Sequence, residues 1–126
     1  MTSRLLTASL IAAAAGMVSA QAAQADCPVA GKYRVVGRVP GAVGSYQGKA
    51  FISKSETGGC LMMWGDPNSS KGAGEFADGV LTINFTVEGS GRKGVVKYTR
   101  APNGDLHGVW WYNKAPNEWG TESLLH

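Results

Sequence analysis

After the first 25 residues the chain alternates apolar and polar positions in short runs. Leu81, Ile83, Phe85 and Val87 stand opposite Thr82, Asn84 and Thr86. Tyr46, Gly48, Ala50 and Ile52 share a face, as do Val96, Tyr98 and Arg100. Leu106, Gly108, Trp110 and Tyr112 share another, and Gly120, Glu122 and Leu124 a last one. Period two is the signature of half-buried strands. Nowhere after residue 26 does an i, i+3, i+4 apolar pattern persist long enough for a helix. Eight strands are predicted: Gly31–Gly37, Tyr46–Ser53, Cys60–Gly65, Gly72–Phe76, Val80–Val87, Lys93–Arg100, Asp105–Tyr112 and Glu118–Leu125.

The breaks between them carry turn chemistry. They are Pro40-Gly41, Thr57-Gly58-Gly59, Asp66-Pro67-Asn68, Asp78-Gly79, Gly89-Ser90-Gly91 and Pro102-Asn103-Gly104-Asp105. Asp-Gly and Asn-Gly tolerate the positive φ of tight hairpins. Ala101-Pro102-Asn103 recurs as Ala115-Pro116-Asn117, which suggests a meander with similar turns. The inward face of each strand mixes large residues with Gly or Ala. A narrow barrel interior needs such small residues, and sequential hairpins can close without an exposed edge. The reading is therefore all-β: an eight-stranded antiparallel up-and-down β-barrel after an N-terminal signal peptide, with 1–25 the signal and 26–126 one domain.

The N-terminal segment sets the compartment. Arg4 precedes a largely apolar stretch from Leu5 to Val18, and Ala23-Gln24-Ala25 is an A-x-A cleavage signal. The stretch is shorter than the ~20 residues that span a bilayer. Cleavage after Ala25 puts Cys27 next to Asp26, without the small-residue box of a lipoprotein. The mature form is expected to be periplasmic or secreted from a bacterium, with no membrane anchor. It would keep 11 basic and 9 acidic residues, net +2. So slight a balance speaks against a nucleic-acid partner. Cys27 and Cys60 are the only cysteines. In an oxidising compartment they are expected to pair, and no metal-binding spacing accompanies them.

The motifs are mostly bland. Gly89-Ser90-Gly91-Arg92-Lys93-Gly94 spells G-x-G-x-x-G, but a strand rather than a helix follows it. It reads as a hairpin loop. His107 falls on the outer face by parity, and His126 is the last residue of the chain. Neither sits in a metal or triad pattern, and neither a metal nor a cofactor is expected. The Ala-rich N-terminal segment resembles bacterial export signals, and on that reading Asn68-Ser69-Ser70 and Asn84-Phe85-Thr86 are expected to be chance sequons. Glu122 falls inward, and a buried carboxylate needs a partner. Arg100 is the candidate, making a structural ion pair. The aromatics are the stronger signal. Trp64, Tyr98, Trp110, Trp111 and Trp119 are candidates for ligand or partner contact. Trp110 points inward and Trp111 outward.

The run Tyr46-x-Gly48-x-Ala50-x-Ile52, then Met62-x-Trp64, Gly72-x-Gly74, Leu81-x-Ile83-x-Phe85, Val96-x-Tyr98, Gly104-x-Leu106-x-Gly108-x-Trp110 and Gly120-Thr121-Glu122-x-Leu124 resembles small exported alphaproteobacterial proteins. Some of those carry the name fibronectin-binding protein. The resemblance spans nearly the whole mature chain. It implies an adhesive or binding role and no catalytic residues. The architecture is also similar to lipocalin- and avidin-like barrels, although Gly108-Val109-Trp110 stands late in the chain, where lipocalins carry their Gly-x-Trp on the first strand.

Three functions are thus set against each other. The first is a non-catalytic binding protein, partnered by an extracellular or envelope protein through an aromatic surface, or by a small apolar ligand in the interior. The second is an enzyme using Tyr98, Arg100 and Glu122. The third is an envelope component without a ligand. An open apolar cavity favours the small ligand, and a filled barrel with Trp111 exposed favours a protein partner. A solvent-reached Glu122 beside an unpaired polar group favours the enzyme.

Overall fold

The computed structural model describes residues 26–41, 43–65 and 69–126. The signal-peptide reading and the Asp66-Pro67-Asn68 turn, with the Asn68 sequon, lie outside the described residues. The described chain forms β1 (Gly31–Arg38), β2 (Tyr46–Lys54), β3 (Cys60–Trp64), β4 (Ser70–Ala77), β5 (Val80–Val87), β6 (Lys93–Arg100), β7 (Leu106–Tyr112) and β8 (Gly120–Leu125). Each strand pairs antiparallel with the next, and β8 returns to β1, so the sheet closes as an eight-stranded barrel. The expected strands and their order hold. β4 starts two residues earlier than expected, and β8 two residues later.

The turns follow from local chemistry. Asp78 and Gly79 both take positive φ, 54° and 80°, and join β4 to β5 as a two-residue hairpin. The Gly-rich run after β5 is a hairpin loop, with Val87 N–H donating to Arg92 O at 2.8 Å and Gly91 N–H to Val87 O at 2.9 Å. The two Ala-Pro-Asn repeats make matching turns. Gly104 N–H donates to Ala101 O at 2.9 Å, and Glu118 N–H to Ala115 O at 3.1 Å.

The two ends of the barrel differ. At one end, Cys27 is bonded to Cys60 at the start of β3, with Cα atoms 5.2 Å apart. This holds the residues before β1 against the barrel, where Cys27 and Val29 are buried. Tyr33 Oη donates to Val29 O at 2.6 Å and fixes the same segment. Leu81, Ile52, Met62, Leu106 and Leu124 are buried with them in the apolar core. The bridge argues for a compartment outside the reducing cytosol. At the other end β1, β3, β5 and β7 finish, and aromatic side chains gather there.

Candidate functional site

One ladder row builds the centre of the interior. Tyr98 on β6 stands opposite Gly108 on β7, which stands opposite Glu122 on β8. Glu122 stands opposite Gly37 on β1, which faces Tyr46 on β2. The carboxyl group thus has a glycine on either side and a tyrosine beyond each glycine. With no side chain between them, both tyrosines lean over the glycines and reach Glu122. Tyr46 Oη donates to Oε1 at 2.8 Å, and Tyr98 Oη donates to Oε2. A Cβ on Gly108 would stand 2.7 Å from Tyr98 Cδ1. One on Gly37 would collide with the Tyr46 ring. Trp64, from β3, supplies a third donor, its Nε1–H to Oε2 at 2.8 Å.

Glu122 is 6% exposed. Burial raises its pKa above the ordinary value, opposed by the hydrogen bonds from Tyr98, Trp64 and Tyr46. Burial, and next the Glu122 charge, raise the pKa values of Tyr46 and Tyr98 as well. Both phenols therefore stay protonated and serve as donors.

Toward the open end the same glycine–aromatic pairing repeats. Phe85 lies opposite Gly94, and Trp110 opposite Gly120. Phe85 packs edge-on against Trp64, Trp110 and Tyr112 at centroid distances of 5.9, 6.0 and 6.1 Å. Trp110 and Tyr112 are perpendicular at 5.2 Å. Between these rings lies an open-mouthed cavity of about 210 Å³. Its remaining walls are Val35, Val39, Tyr46, Ser70, Val87 and Val96, with Glu122 among its lining groups. Trp110 Nε1 is buried without a hydrogen-bond partner. The Arg92 guanidinium lies 3.5 Å over the Tyr112 ring, beside the cavity but outside its lining.

The expected site residues divide. Trp64, Tyr98 and Trp110 meet in the interior, as does the inward Glu122. Arg100 does not join them. It ends β6 opposite Leu106, at the end of the barrel away from the cavity, and its side chain is exposed. There its charge acts on Tyr33. The expected ion pair is therefore replaced by three neutral donors. Parity placed Arg100 inward, but the last residue of a strand can extend past the barrel into solvent. The polar set expected of an enzyme loses Arg100 with it, and the remaining pair, Tyr98 and Glu122, are bonded to each other. Trp111 and Trp119 lie outside, with ring centroids 6.1 Å apart. His107 is exposed as expected and hydrogen-bonds Ser123 Oγ at 2.8 Å.

Tyr46, Phe85 and Tyr112 were absent from the expected site. The signal existed: Tyr46 shares the inward face of Ala50 and Ile52, and Phe85 that of Ile83. A second omission lies outside, where Phe51, Leu61 and Met63 are exposed on neighbouring strands β2 and β3. Among the described residues, no three His, Cys, Asp or Glu side chains converge as metal ligands. No family model matches the chain, and no curated protein or solved structure shows significant similarity.

Proposed function

We propose that this protein is an exported, non-catalytic binding protein, periplasmic or secreted, whose site is the open end of the barrel interior. The observation that carries this reading is the cavity itself. A closed barrel of this size can be filled by its own side chains. Here aromatic rings surround a space with a polar group within it, the usual composition of small-molecule sites. A dry cavity of about 150 Å³ takes benzene. One of about 210 Å³ suits a single ring with a short substituent. Drug-sized ligands need pockets of about 300 Å³ or more. A fragment screen followed by NMR tests the reading. One-ring compounds should shift the Trp64 and Trp110 indole signals and the Phe85 and Tyr112 ring signals. A screen that leaves all four unmoved rejects an interior site.

A second reading, adhesion through the outer surface, draws on the Trp111–Trp119 pair. Trp119 is 63% exposed, and exposed tryptophans are common anchors of protein contacts. Retention on immobilised fibronectin, lost in Trp119→Ala, is its test. Undiminished retention by that variant counts against this surface.

A further inference from the structure

The chemistry around Glu122 selects among the small ligands that would fit, and the selection rests on the interior being a ligand site. We propose that the occupant is a small organic cation, an ammonium group on an apolar body of about one ring.

Three observations carry this. First, Glu122 meets only neutral donors. No Lys, Arg or His lines the cavity among the described residues. A buried carboxylate without a positive partner is costly, and a cation entering from the mouth removes that cost. Second, the carboxylate is neither free nor fully used. An ionised carboxylate has about four lone-pair sites. Tyr46, Trp64 and Tyr98 fill three, two of them on Oε2. Oε1, which accepts only from Tyr46, retains a site for an N–H donor. Third, the walls suit a cation. Trp64, Phe85, Trp110 and Tyr112 stand edge to face, and ring faces attract ammonium groups most strongly where water is excluded. Tyr112 already holds a cation on one face, the Arg92 guanidinium. A carboxylate ligand would meet Glu122 as a like charge.

The titratable groups facing Glu122 are Tyr46 from β2 and Tyr98 from β6; its ladder neighbours on β1 and β7 are glycines. A cation beside Glu122 favours the ionised form, so binding releases a proton wherever the free protein holds Glu122 protonated. Affinity for the cation should therefore rise with pH through the Glu122 titration and then level.

The test compares benzylamine, benzyl alcohol and benzoate, which share one ring and differ in charge. Each is titrated into the full exported domain by calorimetry at pH 4 and pH 8. The expected result at pH 8 is benzylammonium binding at least about tenfold more tightly than benzyl alcohol, with benzoate weakest. The preference should narrow at pH 4. Glu122→Gln should abolish it. The wild-type comparison stands even where that variant folds poorly. Benzyl alcohol or benzoate binding as tightly as benzylammonium overturns the cation and leaves the interior site standing. Binding of none of the three overturns both.

Discussion

Tyr98→Phe isolates one hydrogen bond to the buried carboxyl group. Tyr98 is fully buried, and its hydroxyl donates to Glu122 Oε2. Phenylalanine keeps the ring over Gly108 and deletes only the donor. A hydrogen bond to a charged group contributes about 1.5–3 kcal/mol, and one between neutral groups about 0.5–1.5 kcal/mol. The loss should therefore depend on whether Glu122 is ionised. Near pH 8 it should be about 2 kcal/mol, and near pH 4 about 1 kcal/mol. For a domain of this size each kcal/mol moves Tm by about 4–8 °C. The expected drop is then roughly 8–16 °C at pH 8 and about half that at pH 4.

The sign follows from linkage. Burial raises the folded-state pKa of Glu122 above its unfolded value. Between those two values the folded state binds the extra proton, so the Glu122 contribution to stability falls as pH rises. Removing a donor that favours the charged form raises the folded pKa further. The variant should then lose stability more steeply toward neutral pH than the wild type. Asp105 acts in the opposite direction. The His126 backbone N–H, its leading cause, lowers the Asp105 pKa, so that contribution is lost as pH falls. Taking the difference between variant and wild type cancels it. Urea unfolding at pH 4, 6 and 8 provides the assay. An equal loss of about 1 kcal/mol at all three pH values would refute the charge-assisted bond, and an equal loss of about 2 kcal/mol would refute the raised Glu122 pKa.

Three further outcomes follow from the same structure. Reducing the Cys27–Cys60 bridge, which closes 33 residues of sequence, should cost about 4 kcal/mol by loop entropy. Scanning calorimetry with and without reductant should show a Tm drop of roughly 15–30 °C; a drop under about 5 °C would contradict it. Gly108→Ala should cost about 1–3 kcal/mol by overpacking, because its Cβ would stand 2.6 Å from the Lys97 carbonyl oxygen and 2.7 Å from Tyr98 Cδ1. Combined with Tyr98→Phe it should cost less than the two singles together, since both break the same bond, and additive losses in urea titrations would show that the ring does not move. Arg100→Ala should change stability by less than about 0.5 kcal/mol and leave the acid range of the pH profile unaltered, whereas a profile shifted in that range would restore the ion pair.

The barrel was legible because its evidence is periodic. Each strand is short and alternates, and most are followed within a few residues by a Gly, Asp or Asn that favours a turn. Closure was legible from the small residues on inward faces. Those glycines did more than narrow the barrel, and that part was hidden. Gly37 and Gly108 matter because they flank Glu122 in one ladder row, and register is a property of pairs of strands that no single strand displays. Parity placed Glu122 inside, yet it also placed Arg100 inside. The two differ in height along the barrel, Glu122 pairing with Gly108 and Arg100 with Leu106, and period two carries no information about height.

The same distinction separates the tryptophans. Trp110 and Trp111 are adjacent in sequence and fall on opposite faces, one in the cavity wall and one against Trp119 outside. Composition counts them together, while the strand divides them into two chemically different surfaces. The inner one holds a carboxyl group among neutral donors, and Glu122 is the one carboxylate in its lining. The outer one is a pair of rings without a charge between them. A ligand preference that disappears in Glu122→Gln reports on the cavity, and one that disappears in Trp119→Ala reports on the outer face. The two variants together assign any observed binding to one surface.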